Sequence, residues 1–509
     1  MTPIDALYAH AQTRPSQAAM IAGDQYWTYA RLVTECERLA KAMLARGVKP
    51  GDRVALHMTN VPEMTIAYYA CFRIGAIAAP LNIRMKTAEL RPLLKLMDAS
   101  LYLGQAQLYA EIAGIETDIL PSHVRYVVGG SVKDERARPW ERIYAGSANV
   151  PLPAMPDPDA PAVLLGTSGT SGASKLVVHT ATTLGATTEA CIELGMRGRH
   201  TTLNMVPMVH CSGLTVMLCS IRFGARMILL ERFDPGAALD AIAAHRCTWV
   251  IGLPFMYADM VQVQSMHPRN VASLKYCASG GDVCPVQVQN KFADVFRLPL
   301  YSTWAATEVL GALIHGLQPG PVTRMTSPDD VRLVDDNGAP VRRGAVGELL
   351  IRAPQLTPGY WTGPDRIEDA APDGWYRTGD LMRQGDKDDL WFVARKKNLI
   401  IRGGSNISPL EVEHVLLSHP AVCDAAVVGI PDQRLGQRVA AVVQLVPGAD
   451  NEVLDDILDY ARAQLADYKV PERLQVIGKI PRNGIGKIDR KTLVVDLVDA
   501  ERQPLRVHA

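Results

Sequence analysis

The chain lacks a net charge. Its 53 Lys and Arg offset 53 Asp and Glu across 509 residues. Nothing in that balance calls for nucleic acid or an anionic membrane surface as a partner. It also lacks a CxxC pair. Its nine cysteines, an odd number, are scattered among apolar residues. They read as reduced core thiols of a cytoplasmic protein, not as a disulfide or zinc framework. The opening MTPIDALYAHAQTRPSQ has no basic region followed by an apolar run, so no secretory signal is expected. The greasiest stretch, Leu214 to Leu230, is interrupted by Arg222 and Arg226 and is too short and too charged to span a bilayer. No internal repeat is visible, and the single Pro-rich connector is NVPLPAMPDPDAP at 149–161. What remains is an ordinary globular composition, 48% hydrophobic and 21% charged, which excludes disorder. At roughly 150 residues per domain the length suggests about three folding units.

From 30 to 180 helical and strand-like patterns alternate, which argues an α/β fold with mainly parallel sheets. Asn60-Val61-Pro62-Glu63 predicts a helix start with Asn60 as cap and Pro62 in the first turn. AIAAPLN then predicts a short buried strand. Similar grammar recurs around Met205–Ile221, ARMILLE and CTWVIGLP. Between 325 and 395 short strands broken by turn residues predict a small β-rich subdomain, with a hairpin turn at Asp336-Asn337-Gly338. From about 397 the pattern is that of a separate α+β unit. Ser408-Pro409-Leu410-Glu411 starts a helix, AAVVGI and VAAVVQLV are buried strands, and Leu454, Ile457, Leu458, Ala461 and Leu465 recur at helical spacing.

The sharpest chemical signal is LLGTSGTSGASK, an apolar strand running into a Gly/Ser/Thr loop that ends in Lys175. Glycines let backbone N–H groups approach an oxyanion, hydroxyls add donors, and the lysine adds charge, as a triphosphate requires. It is not a Walker A loop, because Ser174 precedes the lysine and Leu176 follows it. Further along, PMVHCSG, SGGDVCP, WAATE, WYRTGD, ARKKNLI, GGSNISPLEVE and PRNGIGKIDRK follow in order. Together these eight motifs resemble the adenylate-forming acyl-CoA synthetase superfamily over nearly the whole chain.

That resemblance implies a large N-terminal domain over 1–396, with two α/β sheets and a small β-barrel-like subdomain at about 325–395. A smaller, mobile α+β lid follows over 397–509. It implies that Thr167, Ser168, Gly169, Thr170, Ser171, Gly172 and Lys175 hold the phosphates. Gly280, Gly281 and Asp282 lie by the adenine, on which Trp304 could stack, with Ala305 beside it. Thr307 contacts the α-phosphate and Glu308 holds Mg²⁺. Asp380 takes the ribose, as an ionised carboxylate that only accepts, and Arg395 makes a second nucleotide contact. His210 orients the acid, Lys487 drives adenylation, Lys397 is the hinge, and Gly403 and Gly404 line a CoA channel. Ser212, Val216, Gly280 and Ala312 line the acyl pocket. Departures from the family pattern are Ala305 for Gly, Asp282 for Ala, Leu176 for Gly and Asn398 for an acidic residue.

The expected reaction has two halves: ATP and a carboxylic acid give acyl-AMP and pyrophosphate, and CoA then takes the acyl group. The acid is expected to be a medium-chain, branched or small aromatic monocarboxylate. The alternatives are a ligase loading a carrier protein, or a degenerate nucleotide-binding relative. Partners are thus the acid, ATP and CoA, with no nucleic acid and no transmembrane segment. Homodimerisation, common in the family, stays open.

Overall fold

A computed structural model describes residues 1–130, 132–167, 175–192, 195–198, 200–315, 322–325, 328–364, 366–385, 389–403, 405–449, 451–483 and 486–502, at 311–315, 322–325, 328, 451 and 500–502 the backbone alone. Packing divides the chain into two units, Met1–Asp330 with Arg352–Tyr376, and Val331–Ile351 with Arg377–Ala509.

The first unit holds two sheets. In one, Ala18–Ala22, Arg226–Leu229, Thr201–Asn204, Trp249–Gly252, Tyr276–Ser279 and Leu300–Ala306 run parallel in that order. The strand Val309–His315 then doubles back antiparallel on Leu300–Ala306. The other is a nine-stranded sheet whose parallel centre includes Ile77–Pro80, Arg53–His57, Ala99–Gln105 and Arg125–Val128. Helices cover these strands, which explains their continuous apolar runs; Val54, Ala55, Leu56, Ala78 and Leu103 are all fully buried. At its other side Pro161–Thr167 and Lys175–Thr180 form an antiparallel pair, followed by Gly359–Gly363 and Arg366–Asp369. The strands between 325 and 395 therefore do not all pack together: residues 359–369 extend this sheet, while others belong to the second unit.

Local signals hold with one correction. The helix Pro62–Ile74 starts at the expected Pro, but its cap is Val61, with no side-chain bond. Asn60 is recruited elsewhere: its Oδ1 accepts from the Met208 N–H at 2.8 Å and its Nδ2 donates to the Val206 carbonyl at 2.9 Å. A buried amide that finds both partners in a distant loop gains more there than one capping bond offers.

In the second unit the strands Val331–Val334 and Val346–Ile351 pair antiparallel. The turn between them is organised by Asp335, whose Oδ1 accepts from Asn337 and Ala339, with Gly338 at φ +82°. Tyr376–Gln384 pairs with Asp389–Arg395. The long hairpin Val422–Asp432 with Gly436–Leu445 is buried on both faces. Val427 and Val443 meet Val412, Leu416 and Ile457 on one side; Val428 and Val442 meet Leu493 and Leu497 on the other. Ser408 caps the helix Pro409–Leu417 as expected, accepting from the Glu411 N–H at 3.4 Å. Among the described residues no helix is long and apolar enough to cross a membrane. Lys397 lies within the second unit.

Candidate functional site

In open α/β sheets ligands gather beyond the carboxyl ends of the parallel strands. The first unit places several expected residues there. The strand Tyr276–Ser279 ends in Gly280 and Gly281. Gly281 has φ +82°, and a Cβ on it would sit 2.8 Å from Leu253 Cδ2. Only glycine makes this turn without strain. Asp282 follows, exposed, its Oδ1 accepting from the Val283 N–H. Leu300–Ala306 ends in the turn Thr307-Glu308, with Trp304 largely buried and Ala305 half-buried.

His210 is half-exposed at the N-terminus of the helix Cys211–Arg222, and its side chain does not cap it. Gly213 in the first turn packs so tightly that a Cβ would lie 2.3 Å from the Pro207 carbonyl oxygen. Ser212 is in the same turn. Val216, one turn on, is fully buried in an apolar cluster with Trp249, Ile251 and Ala278. Tyr276 lies against that cluster, stacked between Trp249 and Tyr301 at 6.1 and 5.1 Å.

The Thr307-Glu308 turn is held from three sides. His179, fully buried, donates from Nε2 to the Thr307 carbonyl at 2.8 Å. A carbonyl only accepts, so Nε2 carries the proton and Nδ1, 3.2 Å from Thr183 Oγ1, is the acceptor. Burial holds the imidazole neutral, its pKa lowered to about 4. The Thr357 N–H donates to the Glu308 carbonyl at 2.8 Å. The Tyr360 hydroxyl donates to Glu308 Oε1 at 3.1 Å. The Lys175 ammonium stands 4.3 Å from the centre of the same Tyr360 ring. Tyr376, largely buried, donates into this group towards Tyr360 and Glu308. Burial and the Glu308 charge raise the pKa values of both phenols, that of Tyr360 to about 12.

The second unit gathers charge. Arg395 Nε pairs with Asp380 Oδ1 at 2.8 Å, and the Asp380 side chain is only 3% exposed. The two expected nucleotide contacts thus meet each other across the strands Tyr376–Gln384 and Asp389–Arg395. Lys397 is exposed, yet its ammonium is held below the usual lysine range. Partial desolvation is the main cause; Arg395, Lys487 and Lys491 add repulsion, and Asp380 opposes them. Lys487 is tied to Asn483: its N–H donates to the Asn483 Oδ1 at 3.1 Å, and its carbonyl accepts from the Asn483 N–H at 2.7 Å. Gly403 has φ +54°, and its N–H donates to the Leu435 carbonyl. Ser168, Gly169, Thr170, Ser171, Gly172 and Gly404 lie outside the described residues, as does the side chain of Ala312.

The model of the AMP-binding enzymes matches residues 7–361, and that of the AMP-binding enzyme C-terminal domain matches 411–487. The chain belongs to this adenylate-forming acyl-CoA ligase family. A medium-chain fatty-acid–CoA ligase of Escherichia coli (strain K12) is 31% identical over 509 residues, covering 96% of this chain and 89% of that protein. An indoleacetate–CoA ligase of Aromatoleum aromaticum (strain DSM 19018 / LMG 30748 / EbN1) is 30% identical over 500 residues, 96% of each. In fold, this AMP-binding enzyme matches an anthranilate CoA ligase in complex with anthranoyl-AMP, with TM-score 0.88, 22% identity and 98% of both chains covered.

The motif reading of this AMP-binding enzyme missed His179, Thr357, Tyr360 and Tyr376. Tyr376 was within reach, since WYRTGD contains it. His179 is four residues beyond Lys175 on the same strand, so the phosphate-loop motif needed only to be read further. Tyr360 offers no comparable local signal.

Proposed function

We propose that this enzyme activates a monocarboxylic acid with ATP and passes the acyl group to coenzyme A. The observation that carries the reading is the joining of Lys175 and Glu308 through Tyr360 at one end of the first unit's sheets. A cation suited to phosphate and a carboxylate suited to a metal thereby touch one side chain, the first at its ring and the second at its hydroxyl. A carboxylate is a poor electrophile, and linking it to AMP supplies a leaving group. The acid's own oxygen attacks the α-phosphorus and pyrophosphate departs. The chain therefore supplies position and charge rather than a nucleophile.

Mg²⁺ suits the residues present. Among the described residues no group of three or more His, Cys, Asp or Glu could cage a metal. Mg²⁺ is commonly held by one or two carboxylates plus substrate phosphates, and Glu308 supplies such an oxygen donor. Bound there, Mg²⁺ would neutralise phosphate charge. Thr307 and Lys175 contact phosphate, Asp380 and Arg395 the ribose end of the nucleotide, and Gly280 and Gly281 admit the adenine beside Trp304. His210 orients the acid. Lys487 stabilises charge building on the α-phosphate. Lys397 is the hinge about which a lid over 397–509 turns, bringing Gly403 and Gly404 to the thiol's path.

Ser212, Val216, Gly280 and Ala312 carry no charge that would hold a second carboxylate. The aromatic stack beside Val216 supports a compact apolar acid, medium-chain, branched or aryl. All nine cysteines are free thiols, seven of them buried, which supports a reducing, cytoplasmic compartment. The test is a pyrophosphate-release assay across aliphatic and aryl acids, with and without CoA. Acid-dependent release together with an acyl-CoA product is expected. Release independent of acid, or no thioester with CoA, overturns the reading.

A further inference from the structure

Lys175 and Glu308 reach one aromatic side chain from different strands. Lys175 opens Lys175–Thr180 and Glu308 follows Leu300–Ala306. Tyr360 lies on a third strand, Gly359–Gly363, and pairs with Val177. Lys175 and Val177 share a face of their strand, so Lys175 is the diagonal neighbour of Tyr360, a distance that a long side chain spans. The ring lies 4.3 Å from Lys175 Nζ, and the hydroxyl lies 3.1 Å from Glu308 Oε1. Tyr376, largely buried, donates into the same group.

We propose that Tyr360 is a positioning residue for adenylation, its hydroxyl aiming the Glu308 carboxylate at a divalent cation while its ring stations the Lys175 ammonium for the nucleotide's phosphates. The inference rests on the reading of Glu308 and Lys175 given above. Its physical content is a fixed separation. Metal and phosphates are received by two groups braced against one rigid ring, so neither needs to be ordered when the nucleotide arrives.

Two substitutions separate the two halves of the role. Tyr360→Phe keeps the ring and removes the hydroxyl; Tyr360→Leu removes both. The primary readout is Mn²⁺ affinity, by electron paramagnetic resonance, of the enzyme with a non-hydrolysable ATP analogue. Calorimetry gives the affinity for the analogue itself. Tyr360→Phe is expected to weaken Mn²⁺ binding about tenfold or more, the effect of one hydrogen bond to a charged group, and to change analogue affinity less than about twofold. Tyr360→Leu is expected to weaken the analogue severalfold as well, through loss of the cation–π contact. Tyr376→Phe is a second variant, expected to act on Mn²⁺ in the same direction with smaller size. Unchanged Mn²⁺ affinity in Tyr360→Phe, or equal losses of both affinities in Tyr360→Phe and Tyr360→Leu, overturns the proposal. Glu308→Gln tells the two levels apart. If it leaves Mn²⁺ affinity unchanged, the metal reading of Glu308 fails; if it weakens Mn²⁺ and Tyr360→Phe does not, the role of Tyr360 alone fails.

Discussion

The two units hold their site residues by opposite means. In the first, hydrogen bonds from neutral donors lock a turn: His179 on the Thr307 carbonyl, Thr357 on the Glu308 carbonyl, and Tyr360 on the Glu308 carboxylate. In the second, charges face one another: Asp380 against Arg395, and Lys397 among Arg395, Lys487 and Lys491. Hydrogen bonds from neutral donors are short-range and directional, which suits a preorganised cradle. Like charges held close favour any change that separates them or brings an anion to them.

The sharpest way to break this comparison is Lys487→Ala. If the second unit delivers this ammonium only for adenylation, acyl-AMP formation should fall about 10²–10³-fold, as for loss of one preorganised donor. Thioester formation from supplied acyl-AMP should stay within a few-fold of normal. Rapid-quench measurement of each half-reaction checks this, and parallel loss in both would contradict the division of labour.

The next effect concerns the first unit and pH. His179 titrates near 6.5 in the unfolded chain, and burial lowers it to about 4 when folded. Between these values the unfolded chain binds more protons. The stability that the neutral form confers is therefore complete above about pH 6.5 and is lost as pH falls towards 4. A shift of that size is worth about 3 kcal/mol. His57, also buried and lowered to about 4, acts in the same sense. His179→Gln keeps a side-chain N–H donor without the titration. It should flatten part of the acid limb of melting temperature against pH, and an unchanged limb would show that the Thr307 turn is not held as a neutral pair.

Much of this was legible locally. The Ser408 cap, the Pro62 start, the 335–338 turn and the two buried strands of the 422–445 hairpin depend on neighbours a few residues away, which is the range over which sequence pattern acts. Asn60 misled for the converse reason, since its partners, Val206 and Met208, lie about 150 residues on. Tyr360 was illegible on the same ground. Its meaning comes from Lys175, Glu308 and Tyr376 meeting at one ring, and no spacing in the chain encodes that meeting. The motifs named the groups that carry charge, while Tyr360, which braces two of them, had no comparable signature.

A smaller effect tests the second unit's ion pair. Asp380→Asn preserves shape but leaves Arg395 without its counter-charge at 2.8 Å. Loss of a charge-assisted bond should raise the KM for ATP by about tenfold, with little change in the KM for the acid. A matching rise in both would mean that Asp380 supports the unit's fold rather than the nucleotide.

The smallest effect falls on Lys397. Its ammonium is disfavoured where it stands, so Lys397→Met, which keeps the length and removes the charge, should not lower the melting temperature and is expected to raise it by about a degree or two. The gain is small because the residue is exposed and solvent screens its neighbours. That gain should shrink as salt rises, since screening relieves the same repulsion in the parent enzyme. Loss of stability in Lys397→Met, or a gain indifferent to salt, would mean that the cations of the second unit are not in tension. The contrast with the neutral bracing around Glu308 would then rest on Asp380 and Arg395 alone.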